Sequence, residues 1–167
     1  NFTGDRNRET KSARARLLAM ALALVLLRGG ERVGLAEADM PPRAGRAQAG
    51  LLAAALAEEP GAGGEHGSLD LNAAPTGGHV VILSDFLGDL AGIESALALA
   101  AARTMRGILV QVLDPVEEAF PYDGRTRFES MSGHLSFDTL RARDLRAAYL
   151  DRLAARKERL AGLARQS

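Results

Sequence analysis

The chain has 167 residues, and its 21 lysine and arginine residues balance 21 aspartate and glutamate residues, so its formal net charge is zero. This length predicts a single domain over 1–167 with room for a hydrophobic core. A zero net charge gives no field that would draw the chain to nucleic acid or to an anionic membrane. The lack of cysteine excludes disulfides, a thiolate nucleophile and cysteine metal sites, and is compatible with a cytoplasmic location.

The first predicted element is a helix. Alanine, leucine and methionine dominate residues 13–27, and Gly29 and Gly30 follow where a helix commonly ends. The apolar run is too short to span a bilayer and lacks the cleavage pattern of a secretory signal. We therefore expect a buried, amphipathic-to-apolar helix and no membrane span.

A short strand, a helix and a long loop are predicted next. The strand is expected within residues 31–38, and the helix over 43–59, after the stop imposed by two prolines. Residues 60–78 are rich in glycine, proline, serine and asparagine, which predicts a loop that is long for a compact domain.

Two apolar runs rich in β-branched residues, HVVILS from His79 and RGILVQVLD from Arg106, enclose a stretch of helical composition. This succession predicts a β-α-β unit. Strands that are apolar at every position are typical of a parallel sheet covered by helices on both faces. The crossover is then expected to be right-handed.

The last third of the chain predicts a small hairpin near 125–137 and a long terminal helix capped by Asp138 or Thr139. Asp114, followed by Pro115, is interpreted as a turn residue. The many arginines of the terminal helix are interspersed with carboxylates, which favours a solvated face over a basic binding surface.

The polar residues that end the first apolar run are the best candidates for a site. In an open parallel sheet, ligands bind beyond the carboxyl ends of the strands, where Asp85 is expected. Its carboxylate could contact a hard cation or a cationic partner group. Alternatively, Asp85 caps the helix that begins near Asp89, or faces solvent. Phe86 and Leu87 are candidate partner contacts, although packing of Phe86 in the core is an equal alternative.

Other motifs give little support for catalysis. The segment GAGGEHGS lacks the lysine of a phosphate-binding loop, the three histidines lack zinc-site spacing, and LSDF lacks a nucleophile elbow. No catalytic residue is therefore assigned. The second hypothesis for function is a small α/β hydrolase-like or metal-dependent enzyme that uses Asp85 with His66 or Ser68.

Three stretches carry a family resemblance: LLRGGERVGL, VVILSDFLGDL, and a run of VQVLDPVEEAFPYDGRTRFES and LSFDT that AYLDRLAARKERL follows. In this order they resemble the bacterial domain of unknown function family fifty-eight, whose members carry a von Willebrand factor A-like fold. The resemblance implies an α/β fold with a mostly parallel sheet flanked by helices, a small hairpin insertion and a long C-terminal helix. It also implies an N-terminal truncation, because neither the first strand nor its Asp-x-Ser-x-Ser loop is expected here.

In that fold three loops assemble a metal-ion-dependent adhesion site for Mg²⁺. The resemblance makes Asp85 the third-loop aspartate and Ser68 the nearest match to the second-loop threonine. Without the first loop we expect an incomplete site, with Mg²⁺ bound only if that loop is supplied and otherwise no cofactor. The implied function is a non-enzymatic protein-protein interaction domain that works with a MoxR-type AAA+ ATPase. A sheet without its central strand would have unpaired edges, which predicts a homodimer.

Overall fold

The computed structural model describes residues 9–58, 71, 74–122, 126–129, 136–139 and 142–166. Its α-helices are α1 (Lys11–Arg28), α2 (Arg46–Ala57), α3 (Ala91–Ala102), α4 (Pro115–Ala119) and α5 (Ala142–Gln166). Its strands are β1 (Val33–Leu35), β2 (Met40–Arg43), β3 (His79–Ser84), β4 (Arg106–Gln111), β5 (Thr126–Glu129) and β6 (Ser136–Thr139), with a short 3₁₀ helix over Ala36–Ala38. The predicted mixed α/β class, with a small parallel sheet and a long C-terminal helix, is confirmed.

The chain divides into two compact units. One is Ser12–Val112, and the other joins Leu113–Gln166 to the described residues up to Lys11. The prediction of a single von Willebrand A-like domain over 1–167 stays a prediction.

The predicted first helix is confirmed as α1, but the expectation that it is buried was wrong. Helix α1 has one buried residue, Ala23, whereas its Leu17 is 55% and its Val25 65% exposed.

Helix α1 ends in a left-handed glycine, Gly30, at φ 85°. The Gly30 amide donates to the Leu27 carbonyl at 3.2 Å and the Glu31 amide donates to the Leu26 carbonyl at 3.0 Å. These two bonds satisfy carbonyls that the last helical turn leaves open, as in a Schellman motif. In the part of the chain that the structure describes, no helix is long and apolar enough to cross a membrane.

Strands β1 and β2 pair antiparallel, and β2 was not predicted. Its prolines, Pro41 and Pro42, predicted a stop before the next helix, and a proline cannot donate to a ladder. Their carbonyls can still accept. Gln48 of α2 is only 2% exposed and donates through Nε2 to the carbonyls of Val33 at 2.8 Å and Pro41 at 3.2 Å. One amide therefore joins α2 to both strands of this pair.

The predicted β-α-β unit is confirmed. Strands β3 and β4 pair parallel in unbroken register, from His79 opposite Arg106 to Ser84 opposite Gln111, with α3 connecting them. Among the described strands this sheet contains β3 and β4 alone. The core of this part is a cluster of buried apolar residues: Leu71, Ala96, Ala100 and Met105.

Arg103, which follows α3, holds the segment before β3. Its Nη1 donates to the carbonyls of Leu71 at 3.1 Å and Ala74 at 2.9 Å, and its carbonyl accepts from the Gly77 amide at 2.9 Å. The described residues of the loop predicted over 60–78 contain neither helix nor strand. The remainder of that prediction lies outside the described residues.

In the second unit, β5 and β6 pair antiparallel, as the predicted hairpin requires, and α5 follows. Leu153 and Leu160 of α5 are both buried and lie one heptad apart, on one side of the helix. The predicted caps of this helix were wrong, because Asp138 and Thr139 lie in β6 and pair with residues of β5.

Candidate functional site

The candidate site is the turn of residues Ser84–Leu87, which leaves the carboxyl end of β3. Three short-range features shape it. The Phe86 amide donates to Ser84 Oγ at 3.1 Å, the Leu87 amide donates to Asp85 Oδ1 at 3.1 Å, and Phe86 has a left-handed backbone with φ 52°. Polar side chains that bond amides two residues ahead are a common way of closing such a turn.

The end of β4 adds two further hydrogen bonds to this turn. Gln111, opposite Ser84 in the sheet, donates through Nε2 to the Asp85 carbonyl at 2.9 Å. The Val112 amide donates to the Ser84 carbonyl at 2.9 Å, which continues the ladder past the register pairs. The backbone on both sides of the Asp85 side chain is thus fixed by two strand ends. The half-buried carboxylate sits in a preorganised turn rather than on a loose loop.

Asp85 does not cap the following helix. Helix α3 begins at Ala91, whose amide donates to Asp89 Oδ1 at 3.1 Å, while Asp85 Oδ1 accepts from Leu87 inside its own turn. The capping alternative for Asp85 is therefore wrong. Its role in a metal site or a partner contact stays a prediction.

The two candidate contact residues differ in exposure. Phe86 is 3% exposed, so its side chain packs in the core, as the alternative interpretation had it. Burial of the ring stabilises the left-handed conformation, which costs a non-glycine residue on the order of 1 kcal/mol or more. Leu87 is half-buried and leaves part of its side chain accessible beside Asp85.

The described residues do not fit a Mg²⁺ site. Mg²⁺ requires near-octahedral oxygen ligands, whereas this turn supplies one carboxylate, with one of its oxygens engaged by the Leu87 amide. Among the described residues, no three histidine, aspartate or glutamate side chains are grouped to hold a metal ion. Two candidates lie outside the described residues: Ser68, the second predicted ligand, and His66, a candidate partner of Asp85 in the enzyme hypothesis.

The unit that contains Leu113–Gln166 holds a second polar cluster, around the N-terminus of α4. Asp114 Oδ1 accepts from the Val116 amide at 2.8 Å, and Glu117 Oε2 accepts from the Asp114 amide at 2.9 Å. Lys11 Nζ donates to Glu117 Oε1 at 2.6 Å, and Glu117 is only 2% exposed. A buried carboxylate is stable in this arrangement because it is paired and hydrogen-bonded on both oxygens.

Aromatic residues pack beside this cluster. The ring of Phe120 lies 5.2 Å from that of Tyr122, edge to face, and 4.8 Å from that of Tyr149, measured between centroids. Burial raises the pKa of Tyr122 above its ordinary 10.0, and the charges of Asp114 and Glu117 raise it further. Burial and then Glu117 also raise the pKa of Tyr149, partly offset by Lys11.

Sequence reasoning missed this cluster, although a signal was present. Asp114 was interpreted as a turn residue, whereas it is the N-cap of α4. The order Asp, Pro, any residue, Glu from Asp114 to Glu117 is the signature of a capping box with proline at the first helical position. The ion pair with Lys11 has no such local signature, because the two residues are 106 positions apart.

No curated protein and no solved structure matches the chain significantly. A family match covers residues 2–159 and confirms the resemblance drawn from the stretches around Asp85 and Asp114. The chain belongs to the family described as protein of unknown function DUF58.

Proposed function

We propose that this chain is a non-enzymatic protein-protein interaction domain of the von Willebrand A-like class, with an incomplete metal-ion-dependent adhesion site. The partner class we propose is a MoxR-type AAA+ ATPase, and the compartment is the cytoplasm. Membership of DUF58 supports the proposal only through the resemblance that led to it, since the family description names no function.

One observation carries the proposal: a half-buried carboxylate, Asp85, stands at the carboxyl end of a parallel strand pair in a turn fixed from both strands. This edge of a parallel sheet is where ligands bind in open α/β folds. A rigid, partly accessible carboxylate beside Leu87 suits a cationic group of a protein partner. Preorganisation favours such binding because little ordering entropy is lost on contact.

The test is capture of the chain by an immobilised, purified MoxR-type ATPase. Replacing Asp85 with asparagine keeps an acceptor for the Leu87 amide but removes the negative charge. We expect Asp85→Asn to weaken capture by about tenfold or more, as loss of one charge-assisted contact does. Asp85→Ala should weaken it at least as much.

Asp89→Asn is the matched control, because Asp89 also accepts a backbone amide two residues ahead at 3.1 Å but is exposed. It should leave capture unchanged. Equal capture of the wild type and Asp85→Asn would reject Asp85 as the contact, and equal loss in both variants would indicate a general charge effect.

Calorimetric titration with Mg²⁺ and with Mn²⁺ tests the incomplete metal site separately. We expect no Asp85-dependent binding heat from the chain alone, because the described turn offers a single carboxylate. Binding that disappears in Asp85→Ala would show that a complete site forms and would contradict the incomplete-site proposal.

A further inference from the structure

Gln111 ends β4, directly after the apolar run from Ile108 to Val110. Its side chain is half-buried, and its Nε2 donates to the Asp85 carbonyl at 2.9 Å. Within the ranges that the structure describes, the side chain makes this hydrogen bond and no other. The polar group that ends β4 is therefore directed entirely at the turn that carries the candidate carboxylate.

The bond from Gln111 continues the connection between the two strand ends by one residue. The Ser84 carbonyl accepts the Val112 amide at 2.9 Å, and this bond follows the last register pair of β3 and β4. The next carbonyl along the chain belongs to Asp85, and a side chain rather than a backbone amide donates to it. An amide side chain thus holds the first peptide of the turn beyond the ladder.

That peptide determines the conformation of the turn. The Asp85 carbonyl belongs to the planar peptide that joins Asp85 to Phe86, so its orientation sets ψ of Asp85 and φ of Phe86 together. Phe86 has φ 52°, which a residue other than glycine keeps only where its surroundings hold it. Burial of the Phe86 ring holds one side of this peptide, and the Gln111 amide holds its carbonyl.

We propose that Gln111 is a positioning residue for the Asp85 contact. Its amide keeps the peptide between Asp85 and Phe86 in the orientation that presents the carboxylate, without touching the partner itself. The part of this inference that concerns capture rests on the proposed function, whereas the positioning of the turn is testable without a partner. When only a fraction of the molecules holds the competent turn, the apparent affinity falls by that fraction.

The rates of capture by the immobilised MoxR-type ATPase separate positioning from contact. Gln111→Leu removes the donor without changing the charge, so electrostatic steering is unaltered. We expect its association rate constant to fall about three- to tenfold, as loss of one neutral hydrogen bond predicts, with dissociation near the wild-type rate. Asp85→Asn should instead speed dissociation, because it weakens the contact. Gln111→Met, unbranched and of similar length, should behave like Gln111→Leu.

Gln48→Leu is the matched control. Gln48 also donates through Nε2 to backbone carbonyls, those of Val33 and Pro41, but in the β1-β2 part of the chain. Its loss should lower the free energy of unfolding and leave the association rate unchanged at a temperature where both variants are folded. Equal slowing in Gln48→Leu and Gln111→Leu would assign the effect to general loss of stability and overturn the proposal.

Amide hydrogen exchange tests the positioning without a partner. The amides of Phe86 and Leu87 donate to side-chain oxygens of the turn, both at 3.1 Å, so their exchange reports on its opening. Both should exchange about three- to tenfold faster in Gln111→Leu than in the wild type, and near the wild-type rate in Gln48→Leu, because local opening governs them. Unchanged exchange in Gln111→Leu would overturn the proposal. Faster exchange there, with unchanged capture of Asp85→Asn, would reject the ATPase contact and support Gln111 as the positioning residue of the turn.

Discussion

Tyr122 and Tyr149 are the two tyrosines of the chain, so tyrosinate absorbance reports on them alone. Burial, followed by the charges of Asp114 and Glu117, raises the pKa of Tyr122 above 10.0. Burial, followed by the charge of Glu117, raises the pKa of Tyr149 above 10.0. An unfolded tyrosine ionises near 10, whereas the folded one keeps its proton to higher pH. Above about pH 10 the unfolded state therefore binds fewer protons, and the free energy of unfolding falls as pH rises.

We expect absorbance titration of the folded chain to show midpoints above that of the same chain in denaturant. Urea unfolding at increasing pH should show the stability contribution of both tyrosines intact below pH 10 and lost as pH rises through their folded pKa values. Tyr122→Phe and Tyr149→Phe should each flatten part of this decrease. Coincident titration curves in the folded and unfolded states would contradict the prediction.

The turn around Asp85 shows how far single residues could be predicted. The end of an apolar run at Ser84 placed the carboxylate correctly at the edge of the strand pair, because strand ends are a local signal. The left-handed backbone of Phe86 could not be predicted, since a phenylalanine at φ 52° is tolerated only where burial of its ring compensates. The hydrogen bond from Gln111 to the Asp85 carbonyl could not be predicted either, because it depends on the register of β3 and β4.

Among the elements, α1 and the β3-α3-β4 unit were predictable because the residue composition of each favours the same element along its whole length. Strand β2 was missed because its prolines contradict strand propensity, and only the carbonyl of Pro41, bonded to Gln48, shows how the strand is accommodated. Gly34, on the facing strand β1, is also required for this pairing, because β2 approaches its backbone closely. A Cβ there would lie 2.5 Å from the Met40 carbonyl oxygen, so the pair closes only around glycine.

Gln48 therefore joins α2 to the β1-β2 pair, and its loss is the prediction at this scale. Gln48→Leu keeps the side chain of similar size but leaves the carbonyls of Val33 and Pro41 without this donor. We expect a loss of about 1–3 kcal/mol in the free energy of unfolding, measured by urea denaturation.

Ala53→Gln, at an exposed position of the same helix, is the control and should change stability by less than about 0.5 kcal/mol. In Gln48→Leu, amide hydrogen exchange should be faster than in the wild type in β1 and β2, and the increase should be larger there than in β3 and β4. A Gln48→Leu protein as stable as the wild type would show that the amide contributes no net stabilisation.

At the scale of the molecule, the notable feature is the edges of the sheet formed by β3 and β4. Two parallel strands are fewer than an independently stable sheet needs, and each has an edge without a neighbour among the described strands. Ile108, in the middle of β4, is 62% exposed. The zero net charge offers no long-range repulsion against association of two copies. These features support the predicted homodimer through sheet edges.

Sedimentation over a wide concentration range should then show a mass that rises from monomer towards dimer. Ile108→Lys puts a charge on the strand, a substitution that natural proteins use to block edge pairing, and should shift the equilibrium to monomer. Leu51→Lys adds the same charge at a similarly exposed position of α2 and should not. If both variants dissociate the dimer equally, net charge governs association; if the wild type stays monomeric, the edges of β3 and β4 do not pair between copies.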